Sequence, residues 1–125
     1  MITSRFTDSG WLQVTVQSDQ AIDEIQSFQA RVTNSELQEF ISCVDEILRL
    51  IDWVHNNYHT DKGAKEIYHN ADVVKVGSFV CISYLSIFRV HLVFRSSSML
   101  LPIGELEELL ASLKDVFLKT YLTHT

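Results

Sequence analysis

The chain has 125 residues, 46% of them hydrophobic and 21% charged, a composition that fits one globular domain and excludes a disordered chain. Its formal net charge is −6, which disfavours nucleic acid and anionic lipid as partners and favours a basic one. With only four glycines and one proline, regular elements joined by few flexible linkers are expected.

In chain order, the first legible element is the alternating run Gly10 to Gln17, with Leu12, Val14 and Val16 on one face and Gln13, Thr15 and Gln17 on the other. That pattern predicts a half-buried strand. Ser18, Asp19 and Gln20 form a turn signal. Phe28, Ala30 and Val32 then alternate with Gln29 and Arg31, predicting a second strand over about residues 25–32 that pairs with the first as a hairpin.

Thr33 and Glu36 have the spacing of a capping box. Behind them Leu37, Phe40, Ile41, Val44, Ile47, Leu48, Ile51 and Val54 recur at helical spacing, predicting an amphipathic helix over about residues 35–57. Asp45 and Arg49 are placed for an i,i+4 ion pair. Trp53 points away from the apolar stripe, towards Glu46 and Arg49, and Cys43 and Leu50 lie between. This helix is apolar over more of its circumference than one buried face needs. Either a later segment covers the extra arc, or Trp53 is presented to a partner.

Residues 57–71 show neither period and are expected to be a long connection. Asp72 to Val76 predicts a short strand ended by Gly77 and Ser78. From Phe79 to Phe94 the chain is strand-like throughout, with Val80, Ile82, Tyr84, Phe88, Val90, Leu92 and Phe94 on one parity. Unbroken, it would run about 53 Å at ~3.3 Å per residue, too long for a chain whose radius of gyration is about 14 Å. A break is therefore expected, near Ser86. The first half, apolar on both faces, fits a central strand. The second, with Arg89, His91 and Arg95 on its other face, fits one wet side. Ser96 to Ser98 form a turn signal. Pro102 fits the first turn of a second helix ending near Tyr121, with Leu106, Leu109, Leu110, Leu113, Val116 and Phe117 as its stripe. The expected fold is α+β and two-layered, one antiparallel sheet of about five strands under two helices, in the order β-β-α-β-β-β-α. The whole chain forms one domain.

Motifs for chemistry are sparse. The four glycines are isolated, and neither CxxC nor HExxH occurs, so no phosphate loop or zinc signature exists. His55 and His59 are spaced i,i+4, with Asp52, Asp61 or His69 as conceivable third ligands, but His55 faces the apolar stripe and His59 falls where the helix ends. No metal, cofactor or catalytic residue is expected. Cys43 and Cys81 sit in apolar runs and are expected to be reduced, buried thiols. No membrane helix and no signal peptide are expected: apolar runs stop short of about eighteen residues, and residues 1–5 carry no apolar core.

Charge supplies the remaining signal. Residues 1–60 hold nine acids and three bases, and residues 61–125 hold seven of each. Glu39, Asp45, Glu46 and Asp52 on the first helix, with Arg49 and Trp53 among them and Asp23 and Glu24 in the hairpin connection, form the candidate partner-binding surface. An acidic patch around an aromatic anchor steers a basic protein into contact and supplies a desolvated centre.

The run FQARVTNSELQEFISCVDEIL from Phe28 to Leu48, then FRVHLVF from Phe88 to Phe94 and LEELL from Leu106 to Leu110, resembles the strand–cap–helix and closing strand–helix patterns of small bacterial immunity proteins from polymorphic-toxin and contact-dependent growth-inhibition systems. The resemblance covers about residues 10–120 and lies in element order and patterning, so no family residue carries over. It implies a cytoplasmic, non-enzymatic inhibitor of one cognate toxin domain, often a basic nuclease. The alternative is a dimeric, acidic secretion chaperone, for which the arc of Cys43, Leu50 and Trp53 would be the dimer seam, although such chaperones usually begin with a helix. The sequence leaves the oligomeric state open.

Overall fold

A computed structural model describes residues 1–17, 25–56, 72–84 and 87–123. The order is β1 (Ile2–Phe6), β2 (Trp11–Gln17), β3 (Ile25–Arg31), α1 (Asn34–Asn56), β4 (Asp72–Val76), β5 (Phe79–Tyr84), β6 (Arg89–Phe94), β7 (Ser97–Pro102), a 3-10 turn (Ile103–Glu105) and α2 (Leu106–Thr123). The expected α+β class holds. The expected single sheet of about five strands does not: the strands form two antiparallel sheets, β1-β2-β3 and β4-β5-β6-β7.

Two strands account for most of the difference. β1 is short and terminal, and only Ile2 on it is buried, too little alternation to register as a pattern. It pairs along its whole length with β2, from Ile2 opposite Val16 to Phe6 opposite Leu12. Gly10, at φ 85°, closes the turn between them. β7 was hidden by its own composition. Its serines carry a turn signal that only Ser96 follows: Arg95, at φ 54°, and Ser96 make the turn, while Ser97 and Ser98 pair with Phe94 and Val93. Pro102 both ends β7 and caps the 3-10 turn that leads into the second helix. Proline is tolerated there because β7 is an edge strand of its sheet. Consequently α2 begins at Leu106.

The long strand-like run breaks as its length requires, with β5 ending at Tyr84 and β6 starting at Arg89. Ser86 itself lies outside the described residues. The break also changes parity, correcting the expectation of one shared face: Phe79, Cys81 and Ser83 point inward from β5, but Val90, Leu92 and Phe94 point inward from β6. As expected, β5 is central, between β4 and β6. The 57–71 connection, the turn at Ser18–Gln20 and the side chain of Tyr121 lie outside the described residues.

The sheets adjoin at β3 and β7, where no backbone ladder joins them. Side chains bridge the gap: the Leu100 amide donates to Gln26 Oε1 at 3.0 Å, and Ser97 Oγ donates to the Gln29 carbonyl at 2.6 Å. Four rings hold the sheets beneath α1. Phe28 of β3 meets Phe40 of α1 edge-on at 5.7 Å between centroids; Phe40 stacks on Phe79 of β5 at 4.5 Å; Phe79 stacks on Phe94 of β6 at 4.1 Å. α1 buries Leu37, Phe40, Cys43, Val44 and Ile47 against this floor, and α2 buries Leu106, Leu109 and Leu113 beside it. At the outer edge of β1, α2 satisfies part-buried polar groups, with Glu108 accepting the Ile2 amide at 3.0 Å and Ser112 Oγ donating to Ser4 Oγ at 2.7 Å. Such cover blunts an edge that would otherwise pair with another chain.

No described helix is long and apolar enough to cross a membrane. Truncating the central ring, Phe40→Ala, should lower unfolding free energy by about 3–5 kcal/mol in guanidinium titration. Phe88→Ala, whose side chain is 70% exposed, should change it by less than about 0.5 kcal/mol.

Candidate functional site

The candidate surface depends on how α1 is set. Its start is fixed by the expected capping box: the Glu36 amide donates to Thr33 Oγ1 and the Thr33 amide donates to Glu36 Oε1, both at 3.1 Å. Glu36 is held further by an ion pair with Arg95 at 3.0 Å. Its apolar stripe then faces the aromatic floor, which leaves Asp45, Glu46, Arg49, Asp52 and Trp53 on the outer side.

Five of the eight candidate residues therefore share one surface. Asp45 and Arg49 make the expected pair at 3.0 Å, so Arg49 neutralises one carboxylate. Glu46 and Asp52 are exposed and make no ion pair among the described residues. Trp53 is 39% exposed, a ring lying on the surface rather than sealed beneath it.

The other three do not join them. Glu39 is half-buried and its carboxylate lies against Gly77 in the β4–β5 turn, so close that a Cβ on Gly77 would collide with it. Glu39 thus belongs to the packing of α1 on the hairpin, a role that helical spacing alone cannot reveal. Asp23 and Glu24 lie outside the described residues. The extra apolar arc is divided: Cys43 is fully buried under β4 and β5 and Leu50 is half-buried, which removes most of the seam expected for a dimer, while Trp53 stays at the surface.

The structure also re-sorts the charge. By sequence the acidity belongs to the first half of the chain; in space it belongs to a layer. The helical segments Asn34–Asn56 and Ile103–Thr123 hold nine acids and three bases. The seven strand segments hold four bases, Arg5, Arg31, Lys75 and Arg89, against one acid, Asp72. Glu107 on α2 is exposed and outside any ion pair among the described residues, so it joins Glu46 and Asp52 on the acidic layer. Dividing the charge by halves of the chain passes over Glu107; adding it by element finds it. The opposite layer has its own aromatic, Trp11, 40% exposed, with the Arg31 guanidinium 5.8 Å from its ring.

Among the described residues no three His, Cys, Asp or Glu stand together as metal ligands. The His55 side chain, His59, Asp61 and His69 lie outside them. His91 is half-buried on the outer face of β6, between Ile82 and Leu100. The Ser83 hydroxyl is buried without a hydrogen-bond partner among the described residues.

No family model, curated protein or solved structure matches the chain.

Changing Trp11→Phe leaves Trp53 as the sole indole. Its fluorescence should then remain strongly quenchable by acrylamide in the folded protein; emission shielded from the quencher would remove the aromatic anchor from this surface.

Proposed function

We propose that the chain is a non-enzymatic, protein-binding domain, an immunity protein that neutralises a basic toxin domain through its acidic helix layer inside the producing cell. The supporting observation is the outer side of α1, where Glu46 and Asp52 flank an exposed Trp53 while the strands hold four bases to one acid.

Charge separated by layer gives the molecule an electrical direction. A basic partner diffusing towards it is drawn to the helices and repelled by the outer strands, so encounters are oriented before contact. Close-range affinity then comes from the indole and the aliphatic stems around it as water leaves the contact, since Trp and Arg at the centre of an interface supply most of its binding energy. Arg49 has a place in this scheme. Paired with Asp45 and one helical turn from Trp53 along α1, it offers a planar donor group to a partner carboxylate at the edge of an otherwise acidic patch.

The alternative, a dimeric secretion chaperone, draws on the exposed apolar residues Val73, Ile87, Phe88 and Leu100. Light scattering separates the two readings, since the chaperone requires an obligate dimer and the inhibitor does not.

The direct experiment isolates the partner by affinity capture from the native cell and measures its association with variants. Charge reversal on the helix layer, Glu46→Lys with Asp52→Lys, should weaken binding at least about tenfold, chiefly through the association rate and less so at high salt. Reversal on the strands, Arg5→Glu with Arg31→Glu, should leave affinity within about twofold. Binding indifferent to the helix-layer pair would defeat the proposal.

A further inference from the structure

Cys43 and Cys81 are free and buried, at 0% and 1% exposure. They come from distant parts of the chain, 38 residues apart, yet their sulfurs lie 3.3 Å from each other. Cys43 reaches inward from α1, and Cys81 occupies the inward face of β5, two residues beyond Phe79 of the aromatic stack. The Cys43 sulfur also lies 3.5 Å from the Val74 carbonyl of β4 and 3.8 Å from the Phe79 carbonyl of β5. Every group that holds this sulfur therefore belongs to the β4–β5 hairpin. A disulfide requires the sulfurs at about 2.05 Å, so roughly one ångström of approach separates contact from a bond.

We propose that Cys43 and Cys81 form an oxidisable dithiol, a modification site at which peroxide closes a disulfide that clamps α1 to the β4–β5 hairpin.

The two thiols are not equivalent. The hydrogen bond between the two sulfurs holds the Cys43 thiol below its ordinary value, against burial, which raises it; Cys81 is raised, by its bond with Cys43 and then by burial. Cys43 is accordingly the nucleophile and Cys81 the proton holder. The Cys43 thiolate attacks one oxygen of hydrogen peroxide; the O–O bond breaks, hydroxide leaves and takes up the proton that Cys43 gave up, and a sulfenic acid forms on Cys43. The Cys81 sulfur then attacks the Cys43 sulfur. The S–O bond breaks, and the departing hydroxyl takes the Cys81 proton and leaves as water. Two thiols lose two electrons and two protons, and one peroxide becomes two waters. Peroxide is scarcely larger than water, so slight opening of the helix–sheet seam admits it, while bulky thiol reagents are kept out.

The bond would restrain a long loop of the unfolded chain and fix α1 against the sheet, raising the melting temperature by roughly 10 °C. Backbone amides of α1 around Cys43 should exchange more slowly. The clamp acts whatever the helix layer binds, so its fate is separate from that of the proposed function.

The test treats the folded protein with hydrogen peroxide, quenches it, unfolds it in guanidinium with iodoacetamide and determines its mass. The expected product is lighter by two hydrogens and takes no alkyl group; its melting temperature is raised, and dithiothreitol reverses both changes. Cys81→Ser and, independently, Cys43→Ser should lack the reversible rise, with Cys81→Ser retaining oxygen on Cys43. The proposal is overturned if the treated protein still takes two alkyl groups, if it gains oxygen without losing hydrogens, if the bond forms only after unfolding, or if the cross-linked protein melts lower.

Discussion

The contact on which the rest of the structure depends is the stack of Phe28, Phe40, Phe79 and Phe94. Two sheets that share no backbone ladder have little reason to stay edge to edge. Two side-chain hydrogen bonds, Leu100 to Gln26 and Ser97 to Gln29, bridge the seam, and such bonds each contribute only about 1 kcal/mol net. Aromatic burial is the larger force, since a ring carries large apolar area and gains further from edge-on and offset contacts. Phe40 is the one member of the stack on a helix, and it touches a ring from each sheet. It therefore sets the rotation of α1 about its axis. Once Phe40 faces the floor, Glu46, Asp52 and Trp53 must face away. The surface proposed to bind a partner is the geometric complement of the aromatic seam.

That dependence explains which parts of the fold were legible in the sequence. α1 could be read almost to the residue, because its capping box and its stripe are local signals that the tertiary structure reinforces. β2 and β3 alternate cleanly because one face is buried and the other is not. β1 and β7 were invisible for different reasons. β1 contributes too few residues to show a period, and its stability comes from β2 and from α2 at its edge. β7 begins with serines whose turn preference is overridden by pairing with β6, while Arg95, with no turn signature of its own, takes the positive φ. Which side chain will be forced into such a conformation depends on the strands around it, and strand register is a property of the whole sheet.

The candidate site was legible to the same degree and for the same reason. Positions 45, 46, 49, 52 and 53 fall together because one helix carries them all. Glu39 satisfies the same helical count, yet its fate is decided by Gly77, a residue distant in sequence that approaches only when the β4–β5 hairpin packs on α1. Cys43 is a similar case. On a helical wheel it sits in an excess apolar arc; in the fold its part of that arc is consumed by the hairpin, and the thiol meets a second thiol there. Helical spacing fixes direction from an axis, but not what lies in that direction.

Segregation of charge by layer follows in part from the architecture. Glu is favoured in helices and Asp and Glu are depleted from strands, so a helix-on-sheet domain tends to gather acids on one side without any selection for binding. Propensity does not explain the imbalance within the helices, however. Lys and Arg are as good helix formers as Glu, and an i,i+4 partner stabilises an exposed acid by a few tenths of a kcal/mol. Asp45 and Asp115 have such partners, in Arg49 and Lys119. Glu46 and Asp52 could have had them as cheaply: position 50 is leucine and position 56 asparagine. Leu50 is explained by its partial burial, but Asn56 is exposed and a lysine there would fit. An acidic layer left uncompensated where compensation is sterically open, with an indole at position 53 between the open charges, is the part of the pattern that folding alone does not account for.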